Sequence, residues 1–349
     1  MSFRLGNVSI FSHTLKIDFM KQAKFWSSFS LITTICGMIF VAVHGINYSI
    51  DFLGGTEINF STTDSNVHAE KIKDIVKESG AEGFGVNEFT VPGASTSTFV
   101  VRLQRQIDQA DAAASAATEK TVAALKTGIG EDKFTLDSIT NISGKVGKEE
   151  ERRGYLALLI AFGAILVYVW YRFDLRFAPG AVACLIHDVC IALTVMTLLG
   201  KPFDVGSIAA FLTVIGYSMN DTVIVYDRIR ETMHNNPRLS AHDAINLSIN
   251  QTMNRTVLTS STAMMALVVL TYFGGGSIQD FALTMLIGII VGTYSSIYVA
   301  APLALFIDSF LSKRGIILHD PNKKKTVRDP DYCPPVVLKK RSVPTVQSK

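Results

Sequence analysis

The sequence predicts a multi-pass α-helical membrane protein with six transmembrane helices and one α+β, ferredoxin-like external domain. Crossing a bilayer core takes about 20 apolar residues. Six runs meet that length, at 25–46, 155–172, 178–199, 205–227, 256–274 and 281–307. A more polar segment, 47–153, separates the first run from the other five and carries strand and helix signals of its own. The composition agrees: of 349 residues, 48% are hydrophobic and only 18% charged, less charge than a soluble chain carries.

Residues 1–24 hold Arg4, Lys16, Lys21 and Lys24, a charge pattern like the start of a signal peptide. The apolar run that follows is too long for one and lacks a small-residue cleavage site, so 25–46 reads as an uncleaved span. Lys and Arg in short loops set orientation. They are present in 1–24, in the 173–177 loop (Arg176), in the 228–255 loop (Arg228, Arg230, Arg238, Arg255) and throughout the 309–349 tail. The opposing short loops hold Lys201 and little else. Both termini and loop 228–255 are therefore expected in the cytoplasm, and 47–153 outside. The five-helix bundle is expected over 154–308. The basic tail (Lys323 to Lys325, Lys339 to Arg341) either enforces this topology or touches anionic lipid or the ribosome.

Within 47–153, residues 56–62 alternate like a strand and 67–79 have helical spacing ending at Gly80. Strands are expected at 84–91 and 96–104 around the turn pair Pro92-Gly93, a helix at 108–128 and a last strand at 133–142. The order β-α-β-β-α-β is that of a ferredoxin-like sandwich. No nucleophile–base pair stands out, and His68 reads as a surface residue. The domain reads as a binding or lever element. The glycines of Asp51-Phe52-Leu53-Gly54-Gly55-Thr56 permit backbone angles closed to other residues. That segment is either a tight turn at the membrane surface or a hinge.

Three spans carry polar groups that need a reason, because an ionisable side chain at the bilayer centre costs about 2.5–3.5 kcal/mol on insertion scales. Span three has His187 and Asp188, span four has Asn220 and Asp221, and span five begins near Asn254 and Arg255. The two acid pairs fall at similar depth, and an arginine at Arg255 can reach inward along its stem. A carboxylate in a low-dielectric setting favours its acid form, and a guanidinium nearby favours the charged form. An acid whose arginine partner comes and goes can load and release a proton. Structural alternatives stay open here: His187 bonding a neighbouring helix, and Asp188 serving as its partner. Asp227 is expected at the water boundary beside Arg228 and Arg230; Asp280 and Asp308 sit at span ends. Gly288 and Gly292 form a small-xxx-small pair for close helix approach, within the chain or against another subunit. The cysteines Cys36, Cys184, Cys190 and Cys333 have no metal-site spacing. No metal, cofactor, nucleic-acid partner or enzymatic activity is expected.

The motif DFLGGT at 51–56, the run GYSMNDTVIVYDRIRE from Gly216 to Glu231, His187-Asp188 and Asn254-Arg255-Thr256 together resemble the SecF family of preprotein-translocase subunits. The resemblance covers residues from about 16 to 310. It implies half of a resistance-nodulation-division-type transporter, in the bacterial cytoplasmic (inner) membrane, pairing with a separate SecD. Through SecD it implies contact with the SecYEG channel, functional coupling to SecA, and unfolded preprotein as substrate moved by the proton motive force. It places the proton-site role on Asp221, with Arg255 beside it. Two other readings compete with it. A small-molecule exporter of the same superfamily would carry twice the spans. An intramembrane aspartyl protease would use Asp188 and Asp221 as a pair, in sequence surroundings unlike those found here.

Overall fold

The computed structural model describes residues 17–64, 67–81, 83–90, 96–104, 111–173 and 177–313. The expected Pro92-Gly93 turn and the tail beyond residue 313 lie outside them. Helix α1 (Phe19–His44) leads through a short α2 (Ile50–Leu53) into the domain, whose elements are β1 (Gly55–Thr62), α3 (Ala69–Glu78), β2 (Phe84–Thr90), β3 (Ser97–Gln104), α4 (Asp111–Ile129) and β4 (Phe134–Ile142). The bundle continues with α5 (Gly144–Arg172), α6 (Ala178–Leu198), α7 (Val205–Asn235), α8 (Ala241–Phe273), α9 (Gly276–Ser295) and α10 (Ala301–Lys313). Among the described residues, six helical stretches are long and apolar enough to cross a membrane, α9 and α10 counting as one.

The four strands form one antiparallel sheet in the order β2-β3-β1-β4, the ferredoxin-like arrangement. Alternation explains its sidedness. Ile58 and Phe60 of β1 point to the helices and are buried, while Glu57 and Asn59, alternating with them, point away. Phe60 stacks on Phe99 and Phe134, and Ile72, Val76 and Leu125 cover this core from α3 and α4. At the β4 edge the cover runs out: Leu136 and Ile139 are exposed.

The helices run past the apolar stretches that define the spans. α7 and α8 extend through most of 228–255, so this segment is a helical hairpin with only 236–240 outside the helices. Ser240 caps α8 by accepting from the Asp243 amide at 3.1 Å. α5 is the least buried span, and Trp170 and Tyr171 are exposed at its end, as suits residues at a membrane interface. A π-helical turn, Ser296–Ala300, joins α9 to α10. Such a turn loosens the regular carbonyl pattern, and side chains from elsewhere supply donors: Ser27 to the Tyr298 carbonyl at 2.6 Å and the buried Tyr226 hydroxyl to that of Ala300 at 2.9 Å.

The junction of domain and bundle is a built joint. Phe203 donates to the Asn47 carbonyl and Ser49 to that of Phe203, at 2.7 and 2.9 Å. Gly54 closes α2 with φ of 78° and Gly55 opens β1 with φ of 156°, so the motif forms a tight turn. A side chain at Gly55 would also strike the Leu103 carbonyl. Asp51 accepts from the Val205 amide at 3.4 Å. Thr56 begins β1, donates to Asn141 at 2.7 Å and thereby ties β1 to β4.

Candidate functional site

The two acids expected to mark the site occupy different environments. Asp188 of α6 is fully buried and well supplied with donors. Its Oδ2 accepts from Ser218 of α7, from Ser295 of α9 at 2.9 Å and from the Cys184 thiol at 3.8 Å. Its Oδ1 pairs with His187 Nδ1 at 2.9 Å. Cys184 in turn lies 3.0 Å from the Ser295 hydroxyl. This network fastens α6, α7 and α9 together.

Asp221 of α7 is 1% exposed and poorly supplied. Its Oδ2 accepts only a long bond from Ser260 of α8, at 3.5 Å, and Oδ1 has no hydrogen-bond partner among the described residues. Ser260 itself accepts from Thr293 of α9 at 2.8 Å. Asn254 Oδ1 and Thr256 Oγ1 on α8 are likewise buried without partners among the described residues. Leaving such atoms unpaired is costly, and Asp221, unlike Asp188, is not held in a hydrogen-bond network among the described residues. No hydrogen bond joins the two acids among the described residues, so they do not form a proton-sharing pair.

Helix geometry explains the division. Successive residues of α7 turn by about 100°. Ser218 and Thr222 therefore face the Asp188 network, Asp221 faces α8, and Asn220 points out of the chain and is exposed. Ala209, Thr213 and Gly216 are exposed on α7 as well, and with Asn220 they make a small and polar stripe along one side.

Arg255 is exposed and forms no ion pair with Asp221, although its charge is near enough to act on that carboxylate. Asp227 pairs with Arg172 of α5 at 2.6 Å, while its sequence neighbour Arg228 holds Glu231 at 2.6 Å and Gln251 at 2.7 Å. His68 is a surface residue beside Glu88. Gly288 and Gly292 both face α7: a Cβ on the first would strike Val214, and one on the second would sit 3.1 Å from Ser218 Cβ. The pair therefore serves packing within the chain.

Sequence reasoning gave no role to Ser218 and Ser295, and took Ser260, within the small-residue run Thr259 to Ala263, as a packing position and not as a partner of Asp221. It also missed the Lys201–Asp280 ion pair at 2.8 Å, which buries Asp280 where α6–α7 meets α9.

Residues 121–309 match the family model described as protein export membrane protein SecD/SecF, C-terminal. The protein translocase subunit SecF of Rickettsia rickettsii is 34% identical over 308 residues, 86% of this chain and 96% of that one. The chain belongs to the SecF family. The SecF of Desulfurispirillum indicum is 36% identical over 83% of this chain and 91% of its own. The SecDF of Thermus thermophilus is 35% identical, over 83% of this chain and 38% of the larger protein. Two crystal structures of SecDF superimpose at 33% identity. One, described as a translocon-associated membrane protein from Thermus thermophilus, gives a TM-score of 0.71, and a super-membrane-facing form gives 0.66. This SecF-family chain spans about 40% of those solved chains. It is thus a multi-pass membrane subunit of the protein translocase, and the exporter reading is not favoured.

Proposed function

We propose that this chain is the SecF half of a SecD–SecF pair that uses the proton motive force to complete preprotein translocation across the bacterial cytoplasmic membrane. The existence of SecDF relatives with both halves in one chain supports SecD as the partner. Both termini lie in the cytoplasm and the domain on the outer face, as the Lys and Arg distribution supports. SecYEG and SecA act upstream, delivering unfolded chain to the outer side.

Asp221 is the proton carrier. The observation that carries this reading is its burial with its own Oδ1 unpartnered among the described residues, next in sequence to the exposed Asn220. The stripe of Asn220, Gly216 and Thr213 supports a seam with SecD along α7, giving protons a route past Asp221. Arg255 acts on the carboxylate electrostatically from α8. The Asp188–His187 network is the fixed frame against which α7 is positioned. Each charge crossing the membrane releases about 2.3 kcal/mol per 100 mV, enough to bias a conformational equilibrium of the domain. The test is export in cells depleted of the native subunit. Asp221→Asn should accumulate in the membrane and bind SecD yet leave precursors unexported; normal export by this variant would overturn the reading.

A further inference from the structure

A cavity of about 540 Å³ lies in the angle between domain and bundle. It is on the β2 side of the sheet, the edge opposite β4, and away from Asp221's partners on α8. Its walls come from β2, β3, the 47–50 linker and the α6–α7 turn at 199–202. Among the described residues three cations line it, Lys73, Arg102 and Lys201, and no carboxylate does. Glu57 and Asp280 pair with Arg102 and Lys201 from outside the lining. Lys73 is exposed and has no ion pair among the described residues.

Arg102 is the telling residue. It is only 9% exposed. Its Nε holds Glu57 at 2.9 Å and its Nη2 donates to Ser277 at 3.1 Å, while Nη1 has no partner among the described residues. Two neutral donors in the wall are only loosely engaged. Asn47 reaches the Gly200 carbonyl at 3.3 Å and Gln104 that of Tyr48 at 3.4 Å. The height of the cavity is set by the end of α6. Leu199, in the lining, is 54% exposed and its neighbour Leu198 is 60% exposed. Apolar side chains at the rim of a membrane bundle meet acyl chains.

We propose that this cavity binds the phosphate of an anionic lipid headgroup from the leaflet on the domain side. Lysine ammonium groups act as point charges for phosphate and the arginine as a forked donor. The volume falls within the range of small-ligand sites, and Leu198 and Leu199 take the first methylenes of the chains. A lipid there wedges β2 and β3 against the α6–α7 turn and so sets the angle of the domain on the bundle.

The test uses the full chain, delipidated in detergent. Phosphatidylglycerol and phosphatidylcholine of the same acyl length are titrated in and bound lipid is read by native mass spectrometry. A basic side chain near an anionic headgroup changes affinity by about fivefold. Phosphatidylglycerol should bind at least about fivefold more tightly than phosphatidylcholine, and Lys73→Gln, at an exposed position that leaves the fold alone, should remove about fivefold of that. Millimolar inorganic phosphate should not displace the lipid; displacement would mean that the cations hold a soluble phosphate and would overturn the lipid assignment. Equal binding of the two lipids, or no response to Lys73→Gln, would overturn the site itself.

Discussion

Asp188→Ala and Asp221→Ala delete the same atoms from equally buried positions, 0% and 1% exposed, so the cavity cost largely cancels between them. What differs is hydrogen bonding. Asp188 accepts from Ser218 and Ser295 on two other helices. Bonds between helices inside membrane proteins average about 0.6 kcal/mol and reach about 1.7, so the two contribute about 1–3 kcal/mol. The Ser260 bond to Asp221, at 3.5 Å, is at the limit of bonding and adds roughly a few tenths. Asp188→Ala should therefore be less stable than Asp221→Ala by about 1–3 kcal/mol. Unfolding of the purified full chain in mixed micelles, followed by helical circular dichroism as SDS is increased, reads the difference. Equal midpoints would refute the assignment of Asp188 to structure and Asp221 to exchange.

Lys201→Ala leaves Asp280 buried without its cation. Breaking a fully buried pair costs about 3–5 kcal/mol, and with Lys201 29% exposed about half of that is expected; adding Asp280→Asn should restore most of the midpoint. Gly55→Ala forces a side chain onto a left-handed backbone position and against the Leu103 carbonyl, and should lower stability by about 1–3 kcal/mol in the same assay. Asp204 caps α7 through Ser207 at 2.6 Å, and its burial, reinforced by Asp51 and opposed by Ser207 and Arg102, raises its pKa. An acid raised in the folded state favours folding while protonated, so this contribution is lost as pH rises from about 4, the ordinary carboxylate value, through the folded pKa. Thermal midpoints should fall over that window, and Asp204→Asn, which keeps an N-cap oxygen, should flatten the fall.

The spans were legible because an apolar run of bilayer length seldom folds except as a helix across a membrane. The domain was legible because its strands alternate: Thr56 to Thr62 shows the buried and open faces of β1 directly. The acids were legible as anomalies in apolar runs. Their division was not, because it depends on rotation about α7. Ser218, Asn220 and Asp221 are close in sequence but face a neighbouring helix, the outside and a second helix. Asp227 illustrates the same limit: Arg228 and Arg230 are its sequence neighbours, but its partner, Arg172, comes from α5. The hairpin of α7 and α8 reads in sequence as a loop because its charges hide helical spacing. Asp280 looks like an ordinary span end because Lys201, which holds it, lies on the far side of α7 in sequence.

The central claim is that Asp221 carries protons. Its most direct measurement is proton flux in proteoliposomes containing the chain with its SecD partner, reported by an internal pH dye after an imposed gradient. Flux is expected with the native chain, and with Asp221→Asn no more than in protein-free vesicles. Undiminished flux through the Asp221→Asn pair would contradict it.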